Sequence, residues 1–266
     1  MSPRSLDFTR RAQAHARRCA ARRWRATVPT MTPSTSRRGS RAPSTLSGPL
    51  STVQYVVNGV HFDMVRVPPG RFIDGEGETR RELLVSRPFE LGVTPVTQAL
   101  WRAVMGSSPS KFQGEDRPAE QVSWGDAQQL MGALAQRGLP GFRLPTEAEW
   151  AWAARCGAST RWAGADRSEV AAVVNSRQTA AVAGLSGAAV GAFDLSGNVY
   201  EWVGDWDGLA LSAQVDARGP ASGSDRVLRG GSLVNFPQFA RVAFRNRGVP
   251  GVRSHALGFR LFRAAP

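Results

Sequence analysis

The stretch from Arg226 onward limits what this chain can fold into more than any other. It reads RVLRGGSLVNFPQFARVAFRNRGVPGVRSHALGFRLF, and residues 226–266 hold eight arginines and no Asp or Glu. Its apolar residues follow neither a helical nor a strand period. Gly and Pro recur, so it must run as turns and short extended pieces. Guanidinium groups suit such a segment, because they tie loops together through backbone carbonyls and carboxylates. The carboxylates must then come from elsewhere in the chain. Two kinds of residue alternate between Leu233 and Leu257. Arg241, Ala243, Arg245, Asn246, Arg247, Pro250 and Arg253 look like framework. Val234, Asn235, Phe236, Phe239, Val242, Phe244, Gly248, Val249, Gly251, Val252, Ser254, His255 and Ala256 look like what the framework displays.

The net charge of +13 is divided unevenly. Residues 1–42 contribute +10, residues 43–225 contribute −5 and residues 226–266 contribute +8. The basic character belongs to two segments and not to the body between them, so nucleic-acid binding is not expected of the folded part. Residues 1–52, rich in Arg, Ser, Thr, Pro and Ala, cannot bury enough apolar surface to offset chain entropy and are expected to be disordered. They are either a functional tail or an over-extended start, with Met31 as another possible initiator. Neither Cys19 nor Cys156 falls in a metal-type spacing, and no disulfide framework is implied. No apolar run approaches a membrane span or a signal peptide, which favours a cytoplasmic location.

Order is expected over residues 53–266. YVVNGVHF reads as strand, Asn-Gly turn and strand, closed by a Pro-Pro-Gly break, and RELLVSRPFELGV supplies further short strands. TPVTQALWRAVMG reads as a helix capped by Thr94 with Pro95 in its first position, presenting Leu100, Trp101 and Val104 to a core. SWGDAQQLMGALAQRG and LPTEAEWAWAARCG read as two more helices, with Ser123/Asp126 and Thr146/Glu149 at capping-box spacing. Residues 157–190 show little pattern.

VPPGRF, VTQALWRAVMG, RPAEQVSWGDA, FRLPTEAEWAWAAR, FDLSGNVYEW, RVLRGGS and GFRL follow one another in that order. Together they resemble the formylglycine-generating-enzyme, or sulfatase-modifying-factor, family over residues 60–263. The resemblance implies an α+β, C-type lectin-like fold of that family's subtype, with two helices, short antiparallel strands and extensive ordered loops. The family's oxygen-using enzymes carry a cysteine pair after the GGS turn, which binds copper and handles redox steps. Alignment on Gly230-Gly231-Ser232 puts Asn235 and Ala240 at those places, so a non-enzyme is expected. A three-histidine iron site is not expected either, since His61 and His255 are the histidines of the domain. The resemblance also implies a calcium site at Asp194, Gly197, Val199 and Glu201, with Asn175 in part of a second. The alternative is that Asp194 and Glu201 pair with C-terminal arginines. Calcium would be structural in either site, and neither copper nor iron is expected.

Residues 226–262 are similar, within this family, to the variable region of the variable proteins of diversity-generating retroelements. There, error-prone copying at adenines turns AAC-type Asn codons into many others, though never into Lys, Glu, Gln, Met or Trp. All thirteen displayed positions obey that limit. The resemblance implies a non-enzymatic protein, expected to be a monomer, whose displayed positions bind a protein or other macromolecular target. Phe236, Phe239 and Phe244 would be apolar anchors, unless they belong to the core. The alternative reading is an oxidase or sulfatase-modifying-type enzyme with an altered active site.

Overall fold

The computed structural model describes residues 50–156, 160–174, 176–185, 187–208 and 214–265. Most of the Arg-rich segment, Cys19, Met31 and Asn175 therefore lie outside the described residues.

The first hairpin forms where the Asn-Gly signal places it. Strands β1 (Thr52–Val57) and β2 (Val60–Val67) pair antiparallel up to Val57 opposite Val60. Asn58 and Gly59 turn the chain at φ 46° and 78°, the double left-handed conformation of a two-residue type I′ turn. A second hairpin joins β3 (Gly70–Asp74) to β4 (Arg81–Val85), and β5 (Phe89–Gly92) then returns to pair with β2.

Helix α1 (Gln98–Met105) begins about one turn later than expected. The Thr97 hydroxyl, not that of Thr94, accepts the cap bond, from the Leu100 N–H at 3.2 Å. The backbone before it is already engaged: the Val96 N–H donates to the Phe259 carbonyl at 2.9 Å, and the Val96 carbonyl accepts from the Ala119 N–H at 2.7 Å. Tertiary pairing therefore overrides the Thr-Pro signal. Helices α2 (Trp124–Gln136) and α3 (Glu147–Arg155) carry the expected reciprocal capping boxes at Ser123/Asp126 and Thr146/Glu149. Strand β6 (Phe142–Arg143) lies between them. A fourth helix, α4 (Arg167–Val173), was not anticipated; Asp166 caps it by accepting the Ser168 and Glu169 N–H groups. The described residues thus hold four α-helices, the three read from the sequence and α4, against two implied by the resemblance.

Strands β7 (Tyr200–Trp206), β8 (Arg226–Arg229), β9 (Asn246–Gly248), β10 (Leu257–Gly258) and β11 (Phe262–Ala264) complete the chain. One sheet has the order β1-β2-β5-β11-β6 and another the order β10-β7-β8-β9. Pairing is antiparallel except between β10 and β7. The C-terminal segment therefore supplies β11 inside the first sheet and three of the four strands of the second. Trp150, Trp152, Phe89 and Phe262 sit fully buried in the main core with Val203, Val227 and Val242. The aromatic residues of α3 are core, as its capping-box reading required.

Candidate functional site: the C-terminal surface and its arginine frame

The arginines of the segment each bond or stack against other parts of the domain, although the buried Nε atoms of Arg226 and Arg229 have no partner. Arg229, buried, donates to Glu147 at 3.1 Å and to the Val242 carbonyl at 2.7 Å. Arg245 reaches the same Glu147 carboxylate at 2.8 and 3.0 Å and also bonds Asp207. Arg247 bonds Asp207 at 2.8 Å. Arg253 grips Asp126, the capping acid of α2, through two bonds of 2.7 and 2.6 Å. Arg241 bonds Glu76 and the Gln238 carbonyl. Arg226 lies between the rings of Trp124 and Trp206, 3.9 and 3.4 Å from their centroids. Irregular backbone from Gly230 to Gly258 is thus held at many points by groups distant in sequence. The acids that the segment lacks come from β3 to β7 and the turns around them.

This frame does not expose all thirteen displayed positions. Phe236 and Val249 are open, at 54% and 58% exposure. Gly251 is also exposed, and Val234, Phe244, Val252 and His255 are partly so. Asn235, Phe239, Val242, Gly248, Ser254 and Ala256 are buried. Val242, at 1% exposure, belongs to the main core, and its carbonyl receives Arg229. Phe239 forms the floor under Phe244, their rings edge to face at 5.1 Å. The expected trio of exposed Phe anchors is therefore one open ring, one half-covered ring and one buried ring.

The open positions fall in two loops. Residues 233–245 lie beside Arg161 and Trp162: the Val242 N–H donates to the Arg161 carbonyl at 2.8 Å, and the Trp162 indole donates to the Pro237 carbonyl at 3.0 Å. Residues 249–256 lie against the loop between α1 and α2. There the Trp124 N–H donates to Pro250, the Gln121 N–H donates to Ser254, and the His255 ring meets Phe112 edge to face at 5.7 Å. Both loops flank residues 198–200, since Leu233 N–H donates to Asn198 and Tyr200 N–H donates to Ala256. Phe112, Lys111, Arg161 and Trp162 border the surface without having been singled out in the sequence; only their positions in loops hinted at it.

Asn235 and Ala240, which stand where the cysteine pair is implied, do other work. The Asn235 side-chain oxygen accepts from both the N–H and the hydroxyl of Ser232, each at 2.9 Å. Asn235 also bonds the buried Tyr200 hydroxyl, whose pKa burial raises. Ala240 is buried against Val170, Val174 and Leu185. Gly231 lies so close, at φ 74°, that a Cβ there would sit 2.6 Å from the Ala240 Cα. The cysteine among the described residues is Cys156, buried, its thiol pushed up to about 12 by desolvation.

Asp194, Gly197, Val199 and Glu201 lie together under this surface. Both Glu201 oxygens are taken: Arg260 donates to them at 2.7 and 2.6 Å, and the Trp150 indole donates at 2.7 Å. Asp194 accepts the Ala183 N–H at 2.6 Å and a further backbone bond from Leu185. Burial raises its carboxyl to about 6, against those bonds and Arg260. The Glu201 carboxylate is thus paired with Arg260, the ion-pair alternative for this acid, while calcium would need six to eight oxygen ligands here. Among the described residues no group of three or more His, Cys, Asp or Glu is placed to hold a metal ion. Nor is any described helix long and apolar enough to cross a membrane.

Two larger sheets of short strands, the β3-β4 hairpin, four helices and long ordered loops define a C-type lectin-like domain of the formylglycine-generating-enzyme subtype. Residues 56–265 match the family described as sulfatase-modifying factor enzyme 1-like domain, and the chain belongs to that family. It is 34% identical to the formylglycine-generating enzyme of Streptomyces coelicolor, over 62% of this chain and 58% of that protein. It is 31% identical to that of Bos taurus, over 62% of this chain and 49% of that protein. The chain thus spans about half the length of these relatives. Among solved structures, Treponema denticola variable protein 1 superposes with a TM-score of 0.73 at 30% identity, covering 80% of this chain and 99% of that one.

Proposed function

We propose that this is a non-enzymatic binding protein whose C-terminal surface, diversified by a retroelement, recognises a protein or other macromolecular target. The likeness to Treponema denticola variable protein 1 over nearly the whole of that protein carries the reading. The surface supports it. Phe236 and Val249 stand open on a rigid, ion-paired frame, and exposed apolar side chains of this kind are the usual anchors of protein recognition. The open positions are spread over two neighbouring loops, which suits a broad contact face.

The decisive measurement is on the locus. Sequencing around the gene is expected to show a near-copy of the segment encoding residues 226–262, differing at adenines, beside a reverse transcriptase. Across related isolates, substitutions should concentrate at Val234, Phe236, Phe244, Val249, Gly251, Val252 and His255 more than at the six buried positions. A locus with neither near-copy nor reverse transcriptase removes the diversification. The enzymatic alternative draws on the similarity to formylglycine-generating enzymes. It predicts oxygen consumption with a cysteine-containing peptide and copper, where the binding reading expects none.

A further inference from the structure

The loop between α1 and α2 carries a buried acid directly beneath the second displayed loop. The side chain of Glu120 is fully buried. Its Oε1 accepts the Phe112 N–H at 2.8 Å, and the carboxylate takes a further backbone bond from Lys111. Its Oε2 has no hydrogen-bond partner. The Glu120 N–H donates to Ser110 Oγ at 3.1 Å, so the loop is folded over its own carboxyl. Two contacts then join this loop to the displayed surface, one on each side of the acid. Gln121, held at φ 63°, donates its N–H to the Ser254 carbonyl at 3.0 Å, and the Phe112 ring supports His255.

A carboxylate here would carry its charge with one oxygen unsolvated, and protonation removes that charge at the smaller cost of one unpaired hydroxyl. Burial pushes the Glu120 carboxyl up to about 7, against the N–H bonds of Phe112 and Lys111 and the charge of Lys111. Lys111 is the charged group that couples to it. His255, across the Phe112 ring, is held below its ordinary value by burial and by Lys111, so it is neutral near pH 7 and supplies no counter-charge. We infer that Glu120, in its neutral form, is the positioning residue for the part of the surface around Ser254 and His255, and that ionisation loosens both anchor points. The consequence for recognition rests on reading that surface as the binding face; the structural claim does not.

The sign follows from linkage. The folded value lies above the unfolded one, so the stability that Glu120 contributes is complete below about 4.5 and is lost as the pH rises through about 7. The depressed His255 acts oppositely, losing its contribution as the pH falls through its folded value.

The test is an NMR titration of the isotopically labelled full chain from roughly pH 5.5 to 8.5. The Glu120 Cδ resonance is expected to titrate with a midpoint near 7, and the Phe112, Gln121 and His255 amides should move with that midpoint. Hydrogen-exchange protection of the Phe112 and Gln121 amides should fall about tenfold from the acid to the alkaline end. Glu120→Gln should flatten all of these changes, whereas His255→Asn should leave the Phe112 and Gln121 midpoint in place. A Glu120 midpoint in the ordinary carboxylate range, immobile amides, or a transition that survives Glu120→Gln would each overturn the inference. Should that variant not fold, the wild-type titration decides alone. No ligand is needed, so a negative result leaves the retroelement reading to be judged at the locus.

Discussion

At the scale of single residues, the displayed set divides by what each side chain touches. Val242 and Phe236 are both apolar residues amid Arg and Gly, and nothing in their immediate sequence tells them apart. The difference is made by Arg229, Glu147 and Arg161, which pull the backbone at Val242 into the core while Phe236 is left over the Pro237–Phe239 turn. Under the proposed diversification Asn is the informative substitution, being the residue that a template codon would specify. Val242→Asn buries an amide without partners and should cost about 2–4 kcal/mol. Phe236→Asn and Val249→Asn, at open positions, should each fall within about 0.5 kcal/mol of wild type. Urea denaturation of the three variants checks this, and equal losses at all three would mean that the open positions are structural. That the segment runs as loops tied down by arginines was therefore legible, but not which of its positions lie deep, because depth depends on partners more than eighty residues away in sequence.

Among secondary-structure elements, the features read correctly were those whose chemistry is complete within a few residues: the Asn58-Gly59 hairpin and the two capping boxes. The start of α1 escaped because it depends on distant backbone, Val96 pairing with Phe259 and Ala119. The α4 helix escaped although its Asp166/Glu169 capping box is local, because the stretch around it shows no apolar period. The N-terminus of α2 shows how element and surface are joined. Asp126 accepts the Ser123 N–H at 2.8 Å as the capping acid and also receives Arg253 from the displayed segment. Burial opposes ionisation of Asp126, but Arg253 and the Ser123 bonds prevail and hold its carboxyl below the ordinary range. Its contribution is thus present above about 3.8 and is lost as the pH falls through the folded value. Arg253 is more than half exposed, so solvent screens the pair and a double-mutant cycle of Asp126→Asn with Arg253→Gln should return about 0.5–1 kcal/mol. Ser123→Ala should cost a further ~1 kcal/mol through the cap. Thermal melts at neutral pH and in acid would show the coupling vanish on acidification; a coupling that persists there would assign it to packing of the arginine stem.

At the scale of the whole molecule, the C-terminal segment carries the proposed binding face and also supplies a large part of the scaffold beneath it. It crosses the second sheet as β8, β9 and β10 and ends as β11 inside the first. Several exposed arginines have sunken partners: Arg247 is 67% exposed and its Asp207 only 13%, so the face turned outward is cationic although its ion pairs are formed. The centre of the arrangement is Arg260. It donates to Glu201 and to the carbonyls of Gly92 at 2.9 Å and Phe193 at 2.8 Å, which ties β7 to the first sheet with no solvent access. Replacing one partner of such a pair leaves a buried charge unpaired, so Glu201→Gln and Arg260→Met should each destabilise by about 3–5 kcal/mol. The double substitution Glu201→Gln with Arg260→Met should recover part of that loss. The same pair makes a claim about metal. If Arg260 is the counter-ion that Glu201 uses, millimolar calcium and a chelator should give melting temperatures within about 1 °C of each other, since a ligand stabilises only in proportion to its binding. A rise of several degrees in calcium, abolished by Asp194→Asn or Glu201→Gln, would show that the ion displaces the guanidinium and that the implied calcium site is present in this chain.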